Sequence, residues 1–400
     1  MPAAAPAGEK TSNDAPDAEP SGEEHGEGEG GGAANGWANA KQPDDEEEAK
    51  ARVKKWMTAK EPDEDEEGSE GDGDHEQEDL SDIDEPQDVF GKLAYLTKCD
   101  EMGVVPVSQI LKYLEQEDMQ LTHYGVGPRG VLALAESLRV NTTISTVRLA
   151  DNHLGPDGCA ALMVALKEKN NVTELDLSDN SMGKGIASLP PLLEPKFSVI
   201  TTLHLRGNKL GDREAKVLCD ALVLNTTVTY LDLSVNAFSD KGGAAIGGLI
   251  ETTAIIKELN LAWNRLRAKG CAHIANALKA NGALEVLNVG WNGLGDEGMV
   301  SLGEALAINT GLVELMLSNN SISGKGFVSL AEGIKVNESL AAVEMDHNNI
   351  GGPEGEPAIR GAIDGNKGLV AMGLNGCNVS DELRTYVDAV LYQRRQQQKE

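Results

Sequence analysis

From about residue 117 onward the chain alternates between two textures. A short stretch reads Leu-x-Leu, and an Ala/Leu-rich stretch follows it. Clear copies of the first are "VTELDLSDNSM", "VTYLDLSVNAF", "IKELNLAWNRL" and "LVELMLSNNSI". Strict alternation over so few residues predicts a short strand with its leucines on one face. The second texture, as in "GDEGMVSLGEALAIN", has apolar residues at helical spacing and predicts an amphipathic helix. The two recur together. Asn152, Asn180, Asn208, Asn236, Asn264, Asn292, Asn320 and Asn348 stand at successive intervals of 28. Degenerate copies extend the series at both ends, with Tyr124 in the asparagine register and Cys377 one residue late. About ten units result, each a strand and a returning helix that bury their apolar faces only by stacking on neighbours.

The recurrent asparagine is predicted to be scaffold. Its amide both donates and accepts, so it can tie the backbone of adjacent turns into an internal ladder. Several helices end at a second asparagine, at Asn141, Asn225, Asn281, Asn309 and Asn337. A left-handed helix-closing conformation is expected there, since asparagine tolerates it. One unit departs from the pattern. "GIASLPPLLEPKF" carries Pro190, Pro191 and Pro195 where the helix should run, which predicts an irregular segment with the strand kept.

The flanks read differently. Residues 88–116 suggest a helical N-terminal cap. "DVFGKLAYLTKCDEMG" is expected to be a helix with Asp88 as N-cap and Gly103 as stop, and "PVSQILKYLEQ" a second helix with Pro106 near its start. The repeat solenoid is assigned to 117–379. In 380–400, Leu383, Tyr386, Val387, Val390 and Leu391 form a helical stripe, which predicts a C-terminal cap, with Arg394 and Arg395 suiting the helix end. Residues 1–87 are low in complexity and are expected to form a disordered acidic tail. A short helix at 46–61 in "EEEAKARVKKWMTAKE" would place Val53, Trp56 and Met57 on one face.

Charge sharpens this division. Residues 1–90 carry 29 acidic and 7 basic residues, against 36 and 28 in the remainder. Acidity of this kind argues against a nucleic-acid partner. Ser69 and Ser81, each with an acidic residue at +3, are candidate phosphosites. Aromatics make up only 4% of the chain, so Leu, Val, Ile and Ala must build the core. Five widely spaced cysteines with no Cys-x-x-Cys pair point to reduced thiols, a cytoplasmic setting and no structural metal. No apolar run is long enough for a membrane span, and the start lacks a signal-peptide layout.

The repeat resembles the leucine-rich repeat in its 28-residue, ribonuclease-inhibitor-like form, over about two-thirds of the chain. That resemblance implies an α/β solenoid, a horseshoe with a parallel sheet on the concave side and helices on the convex side. "YLTKCDEMGVVPVSQIL", "LNLAWNRLRAKGCAHIANALKAN" and "SDKGGAAIGGLI" are similar to the group called leucine-rich repeat-containing protein seventy-four. The wider set includes a Ran GTPase-activating protein and a ciliary dynein-regulatory subunit. The resemblance therefore also implies a GTPase activator, or a ciliary or cytoskeletal subunit. Against the activator, the acidic segment here precedes the repeats, whereas that family carries it after them. Its loop asparagine also has eight equivalent candidates.

Candidate chemistry lies on the concave face. No Ser-His-Asp or Cys-His set clusters there, no phosphate loop or calcium loop occurs, and no cofactor is expected, so the chain reads as a non-enzymatic scaffold for a protein partner, acting as a monomer. The candidate contact residues are His204, Arg206, Tyr230, Val235, Asn260, Trp263, Asn288, Trp291 and Met316. Trp and Tyr in mid-coil suit an interface hot spot. The competing expectation is that Trp263 and Trp291 stack on each other and cover the ladder.

Overall fold

The computed structural model describes residues 88–167 and 169–397. The acidic tail, the segment 46–61, Ser69 and Ser81 lie outside the described residues. Ten three-residue strands form one parallel sheet in chain order. They are β1 Asp118–Gln120, β2 Thr146–Arg148, β3 Glu174–Asp176, β4 Thr202–His204, β5 Tyr230–Asp232, β6 Glu258–Asn260, β7 Val286–Asn288, β8 Glu314–Met316, β9 Ala342–Glu344 and β10 Ala371–Gly373. From β1 to β9 each strand pairs with the residue 28 positions on, as in Leu231↔Leu259↔Leu287. The middle residue of each strand from β1 to β9 points inward and is buried, while its two neighbours lie on the outer face of the sheet.

The opposite side is helical. Two capping helices, α1 Lys92–Met102 and α2 Ser108–Tyr113, precede β1. The repeat helices are α3 Gly127–Val140, α4 Gly155–Leu166, α5 Asp212–Leu222, α6 Asp240–Thr252, α7 Arg267–Leu278, α8 Gly295–Leu306, α9 Gly324–Val336 and α10 Gly352–Gly365, and α11 Asp381–Gln397 closes the chain. The proline-rich unit behaves as its sequence requires. Two short 3-10 turns, Gly183–Ser188 and Pro190–Leu192, replace a helix there, and β3 and β4 are intact on either side. A single aliphatic core runs between sheet and helices, with Tyr95, Phe238 and Phe327 its largest buried side chains. At the end, α11 buries Leu383, Val387 and Leu391. Arg394 donates to the carbonyls of Ile363 and Leu369, so it serves the last turns of the neighbouring unit.

The N-terminal cap differs from expectation in detail. Gly91, at φ 75°, is the N-cap of α1, and Asp88 instead accepts from the Ala94 N–H at 2.9 Å. Gly103 stops the helix in the left-handed conformation, as its sequence position predicts. The helix α2 starts two residues beyond Pro106. The fully buried Tyr95 hydroxyl accepts from Val107 N–H at 3.0 Å and joins the two helices. Burial pushes the Tyr95 phenol well above its ordinary range, so it stays neutral. Tyr95→Phe strands that N–H and is expected to cost about 1–2 kcal/mol in urea unfolding; an unchanged midpoint would contradict the role.

Helix starts are fastened across units. Ser239 begins α6, but its cap comes from Asp212 of the preceding unit. That carboxylate accepts from Ser239 N–H at 2.7 Å, from the Ser239 hydroxyl and from Gly242 N–H at 2.9 Å. Asp296 does the same for Ser323, and Glu356 for Ser380. Partial burial pushes the Asp212 carboxyl up. The Ser239 and Gly242 donors and Lys241 more than offset this, and it titrates below its ordinary 3.8. A depressed folded value means the contribution is present above the unfolded value and lost as pH falls through the folded one. Asp212→Ala is thus expected to cost about 1–2 kcal/mol at pH 7. The gap to wild type should narrow at pH 3; a gap independent of pH would contradict this.

The second set of asparagines corrects an expectation. Asn141 and Asn337 are extended, at ψ 131° and 135°, and none of the five is left-handed. They work through their side chains instead. Asn309 Nδ2 donates to Leu278 O and Asn281 O, both at 2.7 Å, while its Oδ1 accepts from Gly311 and Leu312 N–H. Asn281, Asn337 and Asn366 repeat the arrangement. In the unit where Lys169 holds this position, its ammonium donates to Asn141 O at 3.1 Å. The coil therefore has two asparagine ladders, one after the strand and one after the helix.

Candidate functional site

The first ladder positions everything on the sheet face. Each of the eight asparagines sends its Nδ2 to a carbonyl 31 residues earlier, at 2.7–3.1 Å. Cys377 holds the late position, with Sγ 3.1 Å from Met345 O. Tyr124 does not join; its side chain is exposed. In most units the next asparagine's Oδ1 also accepts the backbone N–H of the one before, as from Asn152 to Asn180 and from Asn320 to Asn348. Among the described residues, Asn236 and Asn264 lack this link.

The residue just before the ladder position is left-handed in all ten units. These are His123, Asp151, Asp179, Gly207, Val235, Trp263, Trp291, Asn319, His347 and Gly376, at φ 51–66°. Seven are Gly, Asn, Asp or His, the residue types that enter this region most readily. The other three are Val235, Trp263 and Trp291, in consecutive units. For a β-branched or bulky side chain the conformation is unfavourable by about 1 kcal/mol or more. Folding alone would be served better by Asn or Gly.

Trp263 and Trp291 do stack, with centroids 4.0 Å apart and planes at 12°. They remain 51% and 44% exposed. The ladder is not covered evenly along the coil. Asn236 and Asn264 are 9% and 7% exposed, against 0–2% for the other six ladder asparagines. The two more open positions follow Val235 and Trp263, while Asn292, beside Trp291, is covered like the rest.

The remaining candidates divide into groups. His204, the last residue of β4, and Tyr230, the first of β5, form a separate aromatic pair, centroids 5.0 Å apart. The tryptophans lie three residues past the strand ends, in the register that Val235 holds five residues after Tyr230 and Gly207 three residues after His204. Arg206 reaches the Ser234 hydroxyl at 3.3 Å and approaches Asp179 at 3.8 Å. Asn260 and Asn288 have turn-forming bonds, their Oδ1 atoms accepting from Ala262 and Gly290 N–H. Val235 and Met316 are half-buried.

Carboxylates surround this region. Burial raises the Tyr230 phenol, and the carboxylates of Asp232, Glu258 and Asp176 raise it further, which records a negative field on the sheet face. Arg148 is occupied by Glu174 at 2.7 Å and Asp118 at 3.0 Å. Glu258 and Glu314 have no ion-pair partner among the described residues. Both stand in the strand-start column and had no sequence signal beyond that, since pairing is a property of neighbouring units.

All five cysteines are free and buried, and burial pushes the Cys159, Cys219 and Cys271 thiols up to about 12, far from a reactive thiolate. Among the described residues there is no group of three or more His, Cys, Asp or Glu placed to hold a metal ion. No helix there is long and apolar enough to cross a membrane.

A family model described as Leucine Rich repeat matches residues 140–163, 168–188, 198–219, 224–247 and 283–303. Together with the one-strand, one-helix period, this makes the repeating unit a leucine-rich repeat. Solved structures similar to the chain include leiomodin-1 actin-binding site 2, at 17% identity and TM-score 0.34 over 38% of this chain and 89% of that one. Another is the tropomodulin C-terminal domain of Caenorhabditis elegans, at 16% identity and TM-score 0.34 over 39% of this chain and 95% of that one.

Proposed function

We propose that this leucine-rich repeat protein is a non-enzymatic scaffold that binds a protein partner on the concave sheet face, with the Trp263–Trp291 stack as the anchor. The observation that carries the reading is conformational. Two tryptophans in consecutive units occupy a position whose backbone disfavours them, and they remain about half exposed although stacked on each other. Strained residues held by surrounding structure point toward function. A preformed aromatic pair offers contact area at low entropic cost, and Trp is enriched among residues that dominate interfaces.

The test compares the proteins retained by immobilised wild type and by a W263N/W291N variant, both verified as folded. A partner retained only by wild type supports the reading. Equal retention of every protein by the two would sink it.

A further inference from the structure

We infer that the sheet face leading to the tryptophan pair takes a lysine- or arginine-rich polypeptide segment, held by Glu258 and Glu314 at one end and packed against Trp263 and Trp291 at the other. The inference rests on the scaffold reading and names the chemistry of its partner.

Glu258, Val286 and Glu314 are in register on three adjacent strands. The two carboxylates therefore stand about 10 Å apart, two strand spacings, on either side of Val286. Neither is neutralised by a neighbour among the described residues. This distinguishes them from Glu174, held by Arg148, and from Glu285, held by Lys257 at 2.8 Å. Between these carboxylates and the rings the floor is low. Ala262 and Gly290 line it, and a Cβ on Gly290 would lie 3.3 Å from both Ser318 O and Asn288 Oδ1. An extended segment can lie in that trough. Positive side chains suit its acidic end, and a guanidinium or ammonium is attracted to an exposed indole as well. Burial is the main cause of the raised Tyr230 phenol on the neighbouring strand, and the carboxylates of Asp232, Glu258 and Asp176 add to it. Of the nearby cations, Lys257 at the acidic end is paired with Glu285, and Arg265 and Arg267 lie beyond the trough, after the buried Asn264 on the way into α7. An anionic segment would meet repulsion on the sheet face.

Calorimetric titration of the full chain with a nine-residue arginine peptide tests this, with a nine-residue glutamate peptide beside it. The acidic N-terminal residues are present in every variant, so their contribution cancels in comparison. E258Q/E314Q is expected to weaken arginine-peptide binding about fivefold at low salt, and to reduce the salt dependence. The glutamate peptide should not bind. Wild-type affinity in E258Q/E314Q, or saturable binding of the glutamate peptide, overturns the inference. The two readings fail separately. If W263N/W291N loses a natural partner that E258Q/E314Q retains, the cationic specificity is wrong and the anchor stands. If both variants retain it, the anchor itself is wrong.

Discussion

Asn208→Ala is expected to destabilise the coil by about 3 kcal/mol or more. The Asn208 side chain donates to Leu177 O at 2.8 Å and accepts from Asn180 N–H at 3.2 Å and Met182 N–H at 3.1 Å. All of these groups are buried. Truncation leaves the Asn180 and Met182 N–H groups with no partner, while Leu177 O keeps Asn180 Nδ2 at 3.1 Å; each unsatisfied donor costs about 1–3 kcal/mol, less than additively. Asn208→Asp should be no rescue, because a carboxylate cannot donate to Leu177 O and places a charge in the core. Position matters as well. Asn264 accepts from Phe238 N–H but makes no bond to Asn236 N–H, and it is 7% exposed. Asn264→Ala should therefore be milder than Asn208→Ala by about 1 kcal/mol. Urea midpoints of the two variants check this ordering; equal losses would mean the ladder is uniform along the coil.

That ordering could not be read from the sequence, where the eight asparagines are identical. Periodicity exposed the strands, the helices, the broken unit at Pro190 and Pro191, and the role of Asn152 through Asn348, because each depends on spacing along the chain. Asn281, Asn309 and Asn337 were legible as helix ends and not as a second ladder. Their partners lie 28–31 residues away, while a helix-closing residue is judged from local propensity. The left-handed position before the ladder did leave a trace. Asp151, Asp179, Gly207, Asn319 and His347 share one column and one conformational preference, which makes Val235, Trp263 and Trp291 exceptional. Contacts among the candidate contact residues depend on neighbouring units and are not visible in spacing. His204 packs on Tyr230, Trp263 on Trp291, and Asn260 and Asn288 make turn bonds.

The second large effect is on binding. W263N/W291N is expected to weaken a natural partner by 100-fold or more, since removal of one central tryptophan typically costs about 2 kcal/mol or more. Its effect on stability should run the other way or vanish. Asparagine enters the left-handed region with less strain than tryptophan, a relief of about 1 kcal/mol per site, against a lost stacking contribution of about 0.5–1.5 kcal/mol for the pair. A variant that binds worse and folds as well is the signature of residues retained for contact. A structural lid has the contrary signature. Stripping it would expose the ladder at Asn264 and Asn292, and the fold would loosen with no specific loss of partner.

The most direct measurement is the urea-unfolding midpoint of W263N/W291N beside wild type, taken on the same preparations used for partner binding. Contact residues predict a midpoint equal to or above wild type together with lost binding. A midpoint well below wild type with binding intact would contradict the account.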